Sequence, residues 1–358
     1  MKIFESEMRC LVVLPEKGKL KRTDTKERTM LALINDPQIQ KIINPPNVEP
    51  HWESDLKRLR SGDVTLDRRT AGENSIRAFQ RLLIFLGYST SSSGAFSIDG
   101  DFGRGTNRAL AQFEFEHGLA KPNLNRNKLG YDCNWRSARK LIKIIPDVRL
   151  TVPTLEKMLE VAKKAIETKE VNCGSFDEAI FQLNALYNNQ LLTCRKINHK
   201  YGAIAEKASQ ALKDARNIDI KPEWILSIIR QETAGVVRPR FEQHWLTKFN
   251  KKEPDVDFSE LRYRSMSFGL GQIMGFNYNR VGAKSAKELY TAPLEKQIIS
   301  IARFLTLSSR VRPVVKKMNP SDNDFKAVAK YYNGSGYASH HYDESLARWF
   351  REFKILRG

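Results

Sequence analysis

The chain has 358 residues, of which 41% are hydrophobic and 28% are charged. That length exceeds one ordinary core and that apolar content is too high for a disordered chain, so two or three globular domains are expected. Sixty Lys and Arg against 41 Asp and Glu give a formal net charge of +19, which favours an anionic partner. The basic residues are scattered, without aromatic interleaving or Cys/His finger spacing, so no nucleic-acid partner is expected.

The first part of the chain, residues 1–65, is interpreted as an N-terminal extension of unknown role. Its apolar stretch CLVVL predicts a strand and is too short for the apolar core of a signal peptide or for a membrane span. The Pro-rich NPPNVEPHW ends any helix begun by LALINDPQIQKII. The four cysteines have no CxxC spacing and are interpreted as free thiols: Cys10, Cys133, Cys173 and Cys194.

Three helices are predicted from residue 66 onward. ENSIRAFQRLLIFLGY has apolar residues at helical spacing and stops at Gly87. In TNRALAQFEFEHGL, Thr106 is predicted to cap the second helix and Gly118 to close it. RLTVPTLEKMLEVAKKAI predicts the third helix, with a proline in its first turn.

The loop IDGDFGRGT lies between the first two helices and has tight-turn chemistry. It lacks the acidic ligands of a calcium loop, so no metal is expected there. Together with the flanking helices, this loop resembles the three-helix peptidoglycan-binding module of cell-wall hydrolases. The resemblance implies a binding domain over residues 66–170, with an insertion at about 121–150. It assigns peptidoglycan binding to five loop residues: Asp99, Gly100, Phe102, Gly103 and Thr106.

The next two segments are both predicted to be helical. Residues 171–215 are predicted to form one or two amphipathic helices, which are either a linker or part of the following domain. KPEWILSIIRQETAG predicts a helix in which Glu232 continues the apolar stripe in the last turn. A carboxyl group placed there is poorly solvated, so its protonated form is favoured, as the acid of a glycosidase requires. The alternative is a structural ion pair with Arg230 or Arg238.

Further motifs follow Glu232 in the order FEQHW, SFGLGQIMGFNY and AKYYNGSGYASHHYDESLARWF. With IRQETAG they resemble the phage-type N-acetylmuramidase domain of modular endolysins. The resemblance implies a lysozyme-like, mainly α-helical catalytic domain over residues 216–358, with Glu232 as general acid. It leaves Glu242 as either a second catalytic carboxylate or a substrate or structural ligand.

The same resemblance assigns substrate-binding residues. Ser267 and Gln272 are expected to form hydrogen bonds to sugar or water. Tyr332, Asn333 and Tyr337 are expected to line the glycan groove. Gly269, Gly271 and Gly275 are expected to let a sugar chain pass close to the backbone. A tightly packed glycine turn, core tyrosines and a simple Asn-Gly turn are the structural alternatives. HExxH is absent and His340 and His341 are adjacent, so no metal or other cofactor is expected.

The resulting prediction is a mainly α protein in which a peptidoglycan-binding domain precedes a muramidase. We expect it to cleave the β-1,4 bond between N-acetylmuramic acid and N-acetylglucosamine. The alternatives are a lytic transglycosylase with an anhydromuramic acid product, and a virion-associated wall-binding protein whose lysozyme-like domain is degenerate. We expect a monomer with peptidoglycan as its partner and no stable membrane insertion. It would be made in the host cytoplasm and act in the periplasm after holin-dependent release, or be carried on the virion.

Overall fold

The computed structural model describes residues 33–48, 52–61, 65–67, 69–120, 126, 129 and 148–358. The predicted CLVVL strand, Cys10, Cys133 and nearly all of the 121–150 insertion lie outside the described residues. The described part is mainly α-helical, which confirms the predicted fold class. Within it, no helix is long and apolar enough to cross a membrane.

The N-terminal helices pack around α3, which carries the first apolar stripe predicted from the sequence. Their bounds are α1 Pro37–Ile43, α2 Glu53–Arg60, α3 Glu73–Phe85, α4 Arg104–Glu116 and α5 Val152–Glu167. Gly87 and Gly118 follow α3 and α4 with φ of 86° and 69°, as predicted for helix-ending glycines. Helix α5 packs against α3 and completes the three-helix arrangement. Just before α5, Leu66 and Leu150 form a backbone bridge.

The predicted cap of α4 is wrong. The helix begins at Arg104 and Gly103 is its N-cap residue. Thr106 lies inside the first turn, where its hydroxyl donates to the carbonyl of Asp101 at 2.9 Å. This contact holds the loop before the helix, and the helix begins three residues earlier than a Thr106 cap predicts.

The C-terminal half is a helical bundle around a buried central helix. Its elements are α6 Phe176–Tyr187, α7 Cys194–Arg216, α8 Pro222–Thr233, α9 Gln243–Lys252, α10 Phe258–Arg264, α11 Ala286–Tyr290, α12 Leu294–Leu307, α13 Asp322–Asn333 and α14 Tyr342–Arg357. Helix α8 packs against α7, α12 and α14. Trp224 of α8 is fully buried between Phe325 and Phe350, with ring centroids 5.1 and 4.7 Å away. This packing fixes α8, and with it the position of Glu232.

A small antiparallel sheet lies beside this bundle. Strands β1 Arg240–Phe241, β2 Met266–Phe268 and β3 Ile273–Met274 pair in the order β1, β2, β3. Ser267 in the central strand is opposite Arg240 of β1 on one side and Met274 of β3 on the other. The turn between β2 and β3 is the glycine-rich segment 269–272.

The two halves are joined by buried contacts. Helix α6 packs on α3, and the ring of Phe176 meets that of Phe85 at 6.1 Å. The loop after α3 meets the sheet, where the amide of Phe241 donates to the carbonyl of Gly94 at 2.7 Å. Gly94 has φ of 89°, and a Cβ there would lie 2.0 Å from the carbonyl oxygen of Phe241. The close approach therefore requires glycine.

Candidate active site

Glu232 lies in the last turn of α8, where the sequence places it. Pro222 starts this helix, and Ala234 and Gly235 end it in left-handed conformations with φ of 47° and 75°. The stripe that precedes Glu232 is fully buried: Ile225, Ile228 and Ile229. The carboxyl group therefore comes at the edge of an apolar core rather than on the solvent face.

The hydroxyl of Tyr342 donates a hydrogen bond to Oε1 of Glu232. Burial raises the pKa of Glu232 to about 7, and this hydrogen bond partly opposes the rise because it stabilises the carboxylate. Burial, followed by the neighbouring Glu232 charge, raises the pKa of Tyr342 well above its ordinary value, so its hydroxyl stays protonated and remains a donor. Glu232 is therefore a carboxyl group that can hold a proton near neutral pH and release it.

The arginines proposed as structural partners of Glu232 are engaged elsewhere. The guanidinium carbon of Arg230 lies over the ring of Trp349, 4.4 Å from its centroid. Arg238 donates to the side-chain oxygen of Asn189 at 3.1 Å. Within the described residues neither arginine is paired with Glu232, so its carboxyl group is not neutralised by an ion pair.

The glycine-rich turn packs against the end of α8 through two hydroxyl groups. Thr233 donates to the carbonyl of Leu270 at 3.0 Å, and Tyr332 donates to the carbonyl of Gly271 at 2.6 Å. The pKa of Tyr332 is raised well above its ordinary value by burial and by the nearby Glu232 charge. The structure therefore brings Glu232, Tyr332, Tyr342 and the turn together.

The polar pair predicted in this turn forms as a pair. The hydroxyl of Ser267 donates to Oε1 of Gln272 at 3.1 Å, and Nε2 of Gln272 donates to the carbonyl of Gly269 at 3.1 Å. Gln272 has φ of 48°, a left-handed conformation rarely taken by a residue with a side chain. Its side-chain amide is therefore held across the turn by its own neighbours.

The glycines of this segment lie close to other protein atoms, so packing accounts for them, and the predicted clearance for a sugar chain stays a prediction. A Cβ on Gly271 would lie 2.5 Å from Cγ1 of Ile301 and 2.8 Å from the hydroxyl of Tyr332. On Gly275 it would lie 2.0 Å from the carbonyl oxygen of Tyr263. On Gly269, with φ of 74°, it would lie 3.0 Å from Oε1 of Gln297. The space that each glycine leaves is occupied by protein.

Glu242 has contacts separate from those of Glu232. It precedes α9, and its amide donates to the carbonyl of Ser265 at 2.8 Å, at the opposite end of β2 from the glycine turn. Its carboxylate pairs with Nε of Arg240 at 3.0 Å and approaches Nδ1 of His244 at 3.9 Å. In the described chain the two glutamates share no hydrogen-bonding partner.

The remaining predicted groove residues follow Tyr332 on the surface. Asn333 is exposed and ends α13, and Gly334 follows with φ of 87°. Tyr337 is partly buried in the next short helical turn, Ser335–His340. Among the described residues, no His, Cys, Asp or Glu side chains converge in a group that suits a metal ion.

The loop predicted to bind peptidoglycan is organised by one glutamine of α3. Nε2 of Gln80 donates to Oδ1 of Asp99 at 2.7 Å, and its Oε1 accepts from the amides of Asp99 and Gly100 at 3.0 and 2.9 Å. Phe102 is buried beneath the loop. These contacts support the loop from inside, and the glycan contacts assigned to it stay a prediction.

Sequence reasoning missed Tyr342 and Gln80. Tyr342 is 110 residues from its partner, so no local spacing links them. Its only signal was its presence in the final muramidase-like motif. Gln80 interrupts the apolar pattern of α3 and is fully buried, and a polar residue among apolar neighbours was the available signal.

Two family models match the chain. Residues 72–122 match the model of a putative peptidoglycan binding domain, and residues 255–354 match the N-acetylmuramidase model. The second match includes Gln272, Tyr332 and Tyr342 and begins after Glu232 and Glu242. The chain therefore carries a peptidoglycan-binding domain followed by a muramidase domain, which confirms the order predicted from the motifs.

Comparisons with whole proteins add little. The endolysin of the Burkholderia phage AP3, known from a crystal structure, is 15% identical, with a TM-score of 0.34 over 82% of this chain and 99% of that chain. No curated protein matches. The two family matches make peptidoglycan the substrate and the protein a peptidoglycan-degrading enzyme.

Proposed function

We propose that the protein is an endolysin that cleaves the β-1,4 bond between N-acetylmuramic acid and N-acetylglucosamine, with Glu232 as general acid. The observation that carries the proposal is the pKa of Glu232, about 7, beside the Tyr342 hydroxyl in the muramidase half of the chain. An acid of that pKa is protonated in a large fraction of molecules at neutral pH, where an ordinary glutamate is ionised.

The proposed reaction begins with proton transfer from Glu232 to the glycosidic oxygen. The bond from that oxygen to C1 of the muramic acid breaks, and its electron pair stays on the leaving sugar. The oxocarbenium-like centre is then captured by water, whose proton returns to the Glu232 carboxylate. Ser267 and Gln272, which hold each other at 3.1 Å, are proposed to orient the sugar amide or the water.

Glu242 is proposed to stabilise the sheet rather than to act as a second acid or base. Its ion pair with Arg240 and the hydrogen bond from its amide to the carbonyl of Ser265 support this role.

The ion pair of Glu242 with Arg240, which leaves Glu232 as the one proposed catalytic carboxyl group, also favours a second candidate reaction, a lytic transglycosylase. In that reaction the 6-hydroxyl of muramic acid, rather than water, captures the oxocarbenium-like centre, and no second carboxylate is needed to activate water. Mass spectrometry of the products of purified peptidoglycan separates the two reactions. Reducing-end muramic acid supports the hydrolase, and anhydromuramic acid overturns it in favour of the transglycosylase.

A further inference from the structure

A cavity of about 320 Å³ lies between the binding domain and the muramidase domain, away from Glu232. Its walls come from the ends of α3 and α4 and the side of α5 in one domain, and from α10 and α11 in the other. A volume of that size is at the lower end of the range of small-ligand sites. The cavity therefore has room for part of a substrate that contacts both domains.

One part of its floor is a closed polar network. Nε of Arg262 lies 2.5 Å from Oε1 of Glu116, and Tyr88 donates to Oε2 of Glu116 at 2.8 Å. A second guanidinium nitrogen of Arg262 donates to the carbonyl of Gly87 at 2.6 Å. This network is internally neutral, so its charge calls for no ligand.

Two tyrosine hydroxyls in the cavity wall have no hydrogen-bonding partner among the described residues. Tyr263 and Tyr290 are 6% and 3% exposed, and their ring centroids are 5.2 Å apart. The hydroxyls converge near Gly87, where a Cβ would lie 3.2 Å from that of Tyr290 and 3.4 Å from that of Tyr263. Neither hydroxyl is sealed in the core, so each faces the open space of the cavity and can donate to an acceptor that enters it.

The rim of the cavity is cationic. Lys157 and Lys164 of α5 and Lys287 of α11 line it. Lys287 pairs with Glu170 at 2.5 Å and Lys157 with Glu160 at 3.3 Å. Lys164 has no ion-pair partner in the part of the chain that the structure describes. The ammonium group of Lys164 beside two donor hydroxyls favours a carboxylate over a neutral or cationic group.

We propose that this interdomain cavity binds a carboxylate of a peptidoglycan stem peptide. Tyr263 and Tyr290 donate hydrogen bonds to the carboxylate, and Lys164 attracts it. The inference rests on the proposed function, since the stem peptide is part of the same polymer. Because the cavity is shared by both domains, binding there would fix the position of the glycan strand relative to the catalytic domain and make the enzyme prefer glycan that carries peptides.

The direct test is calorimetric titration of the full chain with a soluble stem tetrapeptide. Removing two hydrogen bonds to a charged group is expected to weaken binding by at least roughly tenfold in the Tyr263→Phe, Tyr290→Phe double variant. Lys164→Glu is expected to weaken it to a similar degree. Lys207→Glu, the same charge change on the exposed face of α7, is the matched control and should bind like the unchanged protein. Absence of tetrapeptide binding, or equal binding by all variants, would overturn the inference.

A second measurement separates this inference from the proposed function. The cleavage rate is compared between intact peptidoglycan and glycan strands whose peptides have been removed. The unchanged protein is expected to cleave the intact polymer about tenfold faster, and the double variant to lose that preference while retaining its rate on bare strands. If bare and intact strands are cleaved equally by the unchanged protein, the inference fails while the proposed function stands. If tetrapeptide binds but neither strand is cleaved, the proposed function fails and the cavity assignment stands.

Discussion

Tyr342, the first residue of α14, donates its phenolic hydrogen to the carboxyl group of Glu232 at the end of α8. This contact joins two helices that pack along each other, so the acid is positioned by the bundle and not by a flexible loop. Burial raises the pKa of Glu232 to about 7, and the Tyr342 hydroxyl limits the rise. Burial and one hydrogen bond therefore set the pKa of the proposed acid.

The first prediction is a change in the pH profile when this hydrogen bond is removed. Cleavage by the unchanged protein should fall above about pH 7, as Glu232 loses its proton. In Tyr342→Phe the carboxylate loses its donor, so the pKa of Glu232 rises and the alkaline limb of kcat/KM moves to higher pH. Tyr331→Phe is the control, because the Tyr331 hydroxyl donates to the carbonyl of Phe304 and not to Glu232. A limb that moves to lower pH in Tyr342→Phe contradicts the prediction.

The second prediction concerns stability. The folded pKa of Glu232, about 7, lies above its ordinary value of 4.5, so this carboxyl's contribution to stability is complete below about pH 4.5 and is lost as the pH rises through 7. Above pH 7 the loss is on the order of 3 kcal/mol. Glu232→Gln should therefore match the unchanged protein near pH 4 and be more stable at pH 8, by about 2 to 3 kcal/mol in denaturant unfolding. The control is Glu295→Gln, at an exposed position, which should show no such pH-dependent gain in stability. If Glu232→Gln also shows no gain, the carboxyl group of Glu232 is well solvated and the prediction is wrong.

The third prediction tests the buried joint between the domains. The side chains of Arg262 and Glu116 are 2% and 7% exposed, and their ion pair links α10 to α4. Glu116→Gln leaves the guanidinium buried without its charge partner and should lower the free energy of unfolding by about 3 kcal/mol. Glu73→Gln, which breaks the exposed pair with Arg77, should cost less than about 1 kcal/mol. Equal losses in the free energy of unfolding would contradict the prediction, because the buried ion pair would then contribute no more to stability than the exposed one.

The fourth prediction follows from the packing of Gly271. A valine there would place its Cβ 2.5 Å from Ile301 and displace the Tyr332 hydroxyl. Gly271→Val is expected to lower stability by about 2 kcal/mol or more and to abolish cleavage, because the turn moves relative to Glu232. Retention of isolated peptidoglycan by the same variant should persist, since the binding domain is not touched. Gly336→Val, where no atom lies within 4 Å of the added Cβ, is the matched control for thermal unfolding and activity.

The sequence predicted the helices well where periodicity and end signals agreed. Pro222 and Gly235 bounded α8 correctly, because a first-turn proline and a left-handed glycine are local requirements of a helix. The cap of α4 was predicted wrongly, because Thr106 bonds the preceding loop rather than its own helix end. Local signals specify an element, and tertiary contacts decide the residues at which it begins and ends.

The candidate site was predictable only in part. Glu232 could be found because its environment is set by its own helix, whose buried stripe it continues. Tyr342 could not be paired with it, since the contact depends on how two distant helices pack. The role of Gly271 was also hidden, because a glycine beside a ligand and a glycine beside Ile301 look the same in a sequence.

The most direct test of the central claim is the digestion rate of purified peptidoglycan by Glu232→Gln and Glu242→Gln beside the unchanged protein. Loss of the general acid is expected to reduce the rate in Glu232→Gln by about 10²-fold or more, with folding intact. Glu242→Gln should keep its rate within about tenfold once its stability is matched, since its carboxylate is held in an ion pair with Arg240. Undiminished cleavage by Glu232→Gln would contradict the account.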